Sequence, residues 1–451
     1  MTSRRAIPAV GKLLDSLGGV DLPRPLVTQF VRQHLDSLRR SEDIPSFEQI
    51  VLDLRAALSH LARSRLQPLI NGTGIVLHTN FGRAPLSPAA VQRVAEIAAG
   101  YNNLEYDIVR GTRGSRAAYL ERALALACGS DAAAVVNNGA AALVLIVSHF
   151  TKKKPEVIIS RGELVQIGGG FRIGEMLEAS GARLREVGAT NKTTLDDYAK
   201  ATGPGTAFIL RVHQSNFFIG GFTESPPNDA IGALARRRHI PFVVDLGSGA
   251  LAATEELGLP EHEPTPSETL SEGADLVCFS GDKLFGGPQA GIIAGKTRLV
   301  AALKREPLFR ALRCDKMVFA ALEATIDSHL QKATDQVPAL QLLTLPNEKL
   351  KKRAEILRER LRALPLTVRI TQSSAEIGGG ALPRSRLPSI ALEFSSDLPP
   401  NEMAACLRKM TPPLIGYVTG GCFKLDLRTI FPQQDDLVVA ALTQCLTTSR
   451  A

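Results

Sequence analysis

The sequence predicts an α/β protein in which a mainly parallel, seven-stranded sheet fills the middle of the chain, with a small helical region before it and a smaller α+β region after it. Three observations carry this. Seven short apolar runs, Ala132–Val136, Val157–Ser160, Leu184–Val187, Phe208–Val212, Phe242–Asp245, Leu276–Phe279 and Gly291–Ala294, alternate with helix-length stretches. Apolar runs that do not alternate with polar residues mark strands covered on both faces, as in wound parallel sheets. Ahead of them apolar residues recur at three- and four-residue spacing, and beyond about residue 330 strand and helix patterns alternate again.

In the first region the spacing predicts helices over Val10–Leu17, Leu26–Arg39 and Phe47–Leu66, broken at Asp-Leu-Pro and Asp-Ile-Pro. Residues 1–66 therefore read as a separate bundle. Its exposed faces would carry Arg24, Arg32, Arg39, Arg40, Arg55, Arg63 and Arg65. Such a set either follows a phosphate backbone or is a solvated surface, and the residues alone favour the solvated surface. The central region spans 67–332. In the last, 333–451, a charged helix over Asn347–Leu364 precedes strands at Leu366–Ile370, Ser389–Phe394 and Cys422–Leu427 and helices at Glu402–Met410 and Asp435–Cys445. The glycine-rich stretch Ala375–Pro383 reads as a mobile loop.

At 451 residues the chain exceeds one ordinary core, so two or three domains are expected. The excess of 53 basic over 45 acidic residues favours anionic partners without naming one, and simple solubility explains it equally well. Six cysteines without CxxC spacing argue against a zinc site or a disulfide framework and fit a reducing cytoplasm. Met1–Pro8 leads into no apolar export segment. The longest apolar stretch, Ala140–Val147, falls well short of the roughly 18 residues that span a bilayer. A soluble, cytoplasmic protein is expected.

In wound sheets chemistry collects at the carboxyl ends of strands. There the run Ser280-Gly-Asp-Lys-Leu-Phe-Gly-Gly-Pro-Gln-Ala-Gly291 isolates Lys283 between an apolar strand and a glycine-rich turn, and the previous strand ends in Asp245. Taken singly, a strand-end aspartate is usually a cap or turn former and an Asp-Lys pair a surface turn. Together with Ser280, and with enough chain between them for one helix and the next strand, they match a pyridoxal 5'-phosphate site: the lysine forms a Schiff base, and the aspartate keeps the pyridine nitrogen protonated.

A phosphate cradle needs backbone N–H groups where a strand gives way to a helix, and Val135-Val-Asn-Asn-Gly-Ala-Ala-Ala142 has that form, with Asn138 and Gly139 at the turn. A plain Asx turn with a helix cap describes the same residues. Arg83 is held by a Gly/Pro turn in Asn80-Phe-Gly-Arg-Ala-Pro85, and Arg310 and Arg313 stand three apart, on one face of a helical turn, placed to clamp a small oxyanion. His213, after the fourth strand, reads as a positioned hydrogen-bond donor rather than a general base. Gly188–Asp197 reads as a loop with Thr and Asp at a helix start.

These segments, in this order, resemble the bacterial selenocysteine synthase family, the L-seryl-tRNA(Sec) selenium transferases. The resemblance runs through Asn71-Gly-Thr-Gly74, Asn80–Arg83, Asn102–Asp107, Gly111–Arg116, Ser160-Arg-Gly-Glu163, Val187–Asn191, His213-Gln-Ser-Asn216, Asp245-Leu-Gly-Ser-Gly249 and Ser280–Gln289. It implies a fold-type-I pyridoxal phosphate domain, a small amino-terminal tRNA-binding domain, a carboxy-terminal domain and a ring of dimers, typically a decamer. It implies conversion of seryl-tRNA(Sec) to selenocysteinyl-tRNA(Sec) with selenophosphate. Lys283 would carry the cofactor and act at the α-carbon, and Asp282 would assist proton transfer. Asp245, Asn138, Gly139, Ser280 and His213 would hold the cofactor, and Arg83, Arg310 and Arg313 the phosphate of selenophosphate. Because the ester linkage removes the serine carboxylate, no carboxylate-binding arginine is needed and the arginines are free for that phosphate. Gly139, Gln166, Gly174 and Tyr417 depart from the family pattern. No metal, membrane or DNA partner is implied.

Two other readings stay open on the sequence. A lyase acting on a small free amino acid would use the same lysine and aspartate but has no need of the basic bundle. A tRNA-binding protein that has lost catalysis would have no need of Lys283 and Asp245.

Overall fold

The computed structural model describes residues 7–41, 43–167 and 170–448, so most of the amino-terminal stretch Met1–Pro8 lies outside the described residues. The chain divides into two compact units, residues 1–69 with 411–413, and residues 70–410 with 414–451.

The first unit is a helical bundle. Helices α1 (Val10–Leu17), α2 (Arg24–Leu38) and α3 (Phe47–Arg63) bury one stripe each, with Leu13, Val27, Val31, Leu35, Ile50, Leu54 and Leu58 forming its core. Ser46 caps α3 by accepting the Gln49 N–H at 3.2 Å. The third helix ends three residues earlier than its apolar spacing predicts, at Arg63, and Leu66 is fully exposed. Of the arginines, Arg39 pairs with Asp36, Arg65 with Asp21, and Arg55 donates to the Ser16 carbonyl. Arg24, Arg32, Arg40 and Arg63 project with no side-chain partner among the described residues.

The second unit is built on a seven-stranded sheet: β1 (Ala132–Val136), β2 (Glu156–Ser160), β3 (Arg183–Val187), β4 (Thr206–Val212), β5 (Phe242–Gly247), β6 (Leu276–Ser280) and β7 (Gly291–Gly295), in spatial order β1-β7-β6-β5-β4-β2-β3. Every neighbouring pair is parallel except those that β7 makes, which are antiparallel. The seven apolar runs are thus the seven strands. Val135, Ile209, Val244, Val277 and Ile292 face one helical layer, and Val136, Phe208, Leu210, Val243 and Ile293 face the other. Burial on both faces explains why the inner strands do not alternate in sequence, while the edge strand β3 exposes Arg183, Arg185 and Glu186.

A second sheet is formed by β8 (Thr367–Gly378), β9 (Arg386–Ser395), β10 (Tyr417–Thr419) and β11 (Cys422–Asp426), in the order β10-β11-β9-β8. Its far edge is the short strand Ile75–Leu77, which runs parallel to the end of β8 with Ile75 opposite Glu376 and Leu77 opposite Gly378. The expected loop over Ala375–Pro383 is therefore corrected in its first half: Ala375 to Gly378 are strand, Ala375 and Ile377 are buried, and the turn begins at Gly379. The helix Asn347–Arg360 covers this sheet through Leu350, Ala354 and Leu357. No helix among the described residues is long and apolar enough to cross a membrane.

Candidate active site

Strands β5 and β6 end side by side, which brings Asp245 and Lys283 to one edge of the sheet. The ladder between them slips after Asp245, where Gly247 takes φ +68, a left-handed conformation that turns the chain away from its strand. The lysine turn is closed by its own backbone: Gly281 N–H donates to Ala290, Gly286 to Lys283 and Gly287 to Gly281, each at 2.8–2.9 Å. Leu284 N–H donates to the Ser248 carbonyl at 3.0 Å, tying this turn to the one after Asp245.

The Lys283 amine lies between two glycines. A Cβ built on Gly247 would stand 3.7 Å from Nζ, and one on Gly380, itself at φ +83, would stand 2.5 Å from it. Burial lowers the lysine pKa below its ordinary range; Asp245 pulls it back up, Arg83 lowers it further, and Asp282 and Glu263 raise it. Asp245 responds in the opposite sense. Burial raises its pKa, and the Lys283 charge, the Gly247 N–H at 3.1 Å and the Cys278 thiol at 3.8 Å oppose that rise. Both residues are only half-exposed, and each charge is offset by the other or by a group bound between them.

Asp282 is buried and its carboxylate is held by Arg83 at 2.5 Å, while its Oδ1 has no hydrogen-bond partner among the described residues. The arginine is fixed in turn by φ +64 and by its N–H donating to His78. His213 N–H donates to the Asp245 carbonyl at 2.8 Å, and its ring Nε2 stands 3.2 Å from Glu263. At the next strand end, Asn138 caps the helix α4 (Gly139–Phe150) by accepting the Ala141 N–H at 2.8 Å. Ser280 closes on that helix start: a Cβ on Gly139 would stand 2.7 Å from its Oγ. Gly139 is thus the one residue that lets the helix start and Ser280 approach this closely.

Lys283, Asp245, Asp282, Arg83 and His213 therefore meet around one space, with Asn138, Gly139 and Ser280 at the adjoining strand ends. The remaining two arginines are placed differently. Their short helix, Pro307–Ala311, ends before Arg313, so the two do not share a helical face. Arg313 pairs with Glu105 at 3.4 Å, alongside Arg113 and Arg116 at 2.8 Å, while Arg310 is exposed without a partner among the described residues. The Leu312 carbonyl accepts the Asn137 N–H at 2.9 Å, which fastens this segment to the strand end that carries Asn138.

Two contributors escape a reading of the sequence. Glu263, 1% exposed, faces His213 with one oxygen and accepts the Leu382 N–H with the other at 3.3 Å. Gly380 covers the lysine amine from the carboxy-terminal part of the chain. Glu263 sits among prolines and Gly380 in a glycine run, patterns that signal only loops.

The fold and the lysine-centred site define a fold-type-I α/β transferase. A solved structure titled D-glucosaminate-6-phosphate ammonia-lyase shares the fold, with a TM-score of 0.59 at 21% identity, covering 88% of this chain and 99% of that one. The family profile described as SelA: L-seryl-tRNA selenium transferase matches residues 69–431, and the chain belongs to that family. Relatives named L-seryl-tRNA(Sec) selenium transferase agree along nearly the whole length. That of Carboxydothermus hydrogenoformans is 42% identical, covering 96% of this chain and 95% of its own, and that of Geobacter sulfurreducens is 42% identical, covering 98% and 99%.

Proposed function

We propose that this protein converts L-seryl-tRNA(Sec) to L-selenocysteinyl-tRNA(Sec), with pyridoxal 5'-phosphate as its cofactor and selenophosphate as the selenium donor. The observation that carries this is the buried Lys283 amine opposite the buried Asp245 carboxylate, in a chain 42% identical to the named transferases over nearly its whole length.

The residues fit the cofactor. The lysine amine has no hydrogen bond among the described residues, and Asp245 is a desolvated carboxylate suited to a protonated ring nitrogen. Ser248 Oγ and Asp282 Oδ1 are buried without partners among the described residues. The α4 start offers backbone N–H groups to a phosphate. Lys283, Asp245, His213, Ser280, Asn138 and Gly139 would hold it. When bound, it supplies an electron sink that acidifies the seryl α-hydrogen and eases loss of the hydroxyl. The depressed pKa of Lys283 keeps more of its amine neutral, ready to take the proton from the α-carbon and return it after selenium has added. Asp282, fixed by Arg83 beside the lysine, would steady that proton transfer. Arg83, Arg310 and Arg313 would receive the selenophosphate phosphate.

The unpartnered arginines of the first unit would bind the tRNA backbone, so that residues 1–66 serve as the RNA-binding part, 67–332 as the catalytic domain and 333–451 as the small domain. Assembly into a homo-oligomer, a decamer by likeness to the family, is supported by the exposed apolar residues Tyr101, Ile108 and Val109. The protein would work in the cytoplasm. The test is to supply the cofactor-loaded protein with seryl-tRNA(Sec) and selenophosphate and analyse the aminoacyl group. Selenocysteinyl-tRNA is expected; turnover of free serine without it would overturn the reading.

A further inference from the structure

A cavity of about 540 Å³ opens beside the lysine, within the roughly 300–1,000 Å³ of pockets that enclose small molecules. Its lining includes Gly378 to Gly380, and Gly380 is the residue whose Cβ would stand 2.5 Å from the Lys283 amine. Ser215, whose Oγ lies 3.1 Å from where a Gly247 Cβ would stand, also lines it, and that Cβ position is 3.7 Å from Lys283 Nζ. Gly380 is thus common to the cavity lining and to the surroundings of the Lys283 amine.

The chemistry of the lining is neutral. Its charged residues, Glu376 and Arg386, pair with each other at 3.2 Å. His78 is kept mostly uncharged by burial, which lowers its pKa. The arginines at 83, 310 and 313 are not part of the lining. A phosphate or a free carboxylate would find no unpaired cation here. What the cavity offers is an aromatic plate and hydrogen-bonding groups without partners. His78 is stacked on Phe81, ring centroids 3.7 Å apart and 8° from parallel, and only His78 of the two lines the cavity. Its Nδ1 is buried and unpartnered, and the side chains of Thr79 and Asn80 make no hydrogen bond among the described residues. A flat ring backed by a second ring is a platform for a nucleobase, and an asparagine amide matches the donor and acceptor pair on the adenine edge.

We infer that this cavity binds the terminal adenosine of the aminoacylated tRNA, stacking its base on His78 and reading its edge with Asn80, so that the ester-linked seryl group is delivered to Lys283. The inference rests on the proposed substrate. It supplies what an ester substrate lacks: with no carboxylate to grip, orientation at the lysine comes from the nucleoside.

The test uses the full-length, cofactor-loaded protein and a stable probe, 3'-amino-3'-deoxyadenosine carrying serine through an amide, with the inosine counterpart lacking the exocyclic amine. Equilibrium dialysis should show binding of the adenosine probe that competes with seryl-tRNA, and about tenfold weaker binding of the inosine probe. In Asn80→Ala the two probes should bind alike, both weakly, whereas loss of a merely structural residue would weaken them in proportion. His78→Ala should weaken both. Equal binding of the two probes to the unmodified protein, with no effect of Asn80→Ala, overturns the inference. If selenocysteinyl-tRNA still forms in that case, the cavity assignment alone fails; if the protein consumes free serine and ignores both probes and tRNA, the proposed function fails with it.

Discussion

Glu163 is the carboxylate whose protonation the fold sets most sharply, and it sits just behind the site. It is 5% exposed, accepts the Val212 N–H at 3.0 Å and faces Arg211 Nε at 3.4 Å, so it anchors the strand end from which His213 emerges. Burial pushes its pKa from 4.5 up to about 7, against Arg211, the Val212 N–H and His213. With the folded value raised, the stabilising contribution is fully present below the unfolded value near 4.5 and is lost as pH rises through about 7. Each pH unit of that gap is worth about 1.4 kcal/mol, so moving from pH 5 to pH 8 should cost the native protein ~2–3 kcal/mol through this residue alone. Glu163→Gln stays neutral and keeps the acceptor for Val212 N–H while giving up the contact to Arg211. Urea unfolding of both proteins at pH 5 and pH 8 provides the assay. The variant's deficit should shrink by that amount at the higher pH. A deficit that is the same at both pH values would mean that Arg211 outweighs burial and that the carboxylate ionises normally in the fold.

Three further outcomes follow from the site. Gly380→Ala places a methyl group 2.5 Å from Lys283 Nζ at a φ of +83; cofactor titration followed by absorbance should show at least tenfold weaker loading, with roughly 1 kcal/mol of stability lost to backbone strain. Asp245→Asn removes the charge that supports the lysine ammonium; the Lys283 pKa should fall further, read as a shift of the cofactor-free protein's amine-labelling profile to lower pH, and retention of the cofactor on gel filtration should drop. Arg310→Ala should weaken selenium transfer, read as selenocysteinyl-tRNA formed at limiting selenophosphate, while cofactor absorbance is unchanged; loss of the absorbance band instead would remove this arginine from the donor site.

The inner strands of the sheet were legible because burial on both faces leaves an uninterrupted apolar run; the edge strand Arg183–Val187 carries charged residues, and each of the seven predicted segments lies within two residues of its strand's observed ends. Asp245, Lys283 and Asn138 were legible for the same reason, since a polar residue directly after such a run has one place to be. What stayed hidden depends on distant partners. Ala375 to Gly378 looked like loop because they run into the three glycines 378–380, yet they are strand because Ile75 and Leu77 pair with them, a contact that local composition does not encode. Arg310 and Arg313 carry helical spacing, but the helix ends at Ala311. Glu263 is assigned by His213 and by the Leu382 N–H, 119 residues away, and nothing near it in sequence marks it.

The arginines proposed for selenophosphate differ in what they have to give. Arg83 is already neutralised by Asp282, a buried carboxylate whose other oxygen lacks a partner among the described residues, so drawing the guanidinium away would leave a buried charge unpaired. It can share an N–H with an anion but adds little net attraction. Around Glu105 the balance is reversed: one carboxylate faces Arg113, Arg116 and Arg313, and these guanidiniums hold its pKa below the ordinary glutamate range, with the Arg116 hydrogen bond foremost. Three cations on one anion leave an excess of positive charge, and the Leu312 carbonyl fastens that cluster to Asn137, beside the helix start at Asn138. On that proposal, the long-range pull on an incoming phosphate would come from the Glu105 cluster and from Arg310, which has no partner among the described residues, whereas Arg83 would act at short range, as the link between the donor and the aspartate beside Lys283. Salt should accordingly weaken donor capture more than the lysine chemistry, because long-range attraction is screened while the direct Arg83–Asp282 contact at 2.5 Å is screened less.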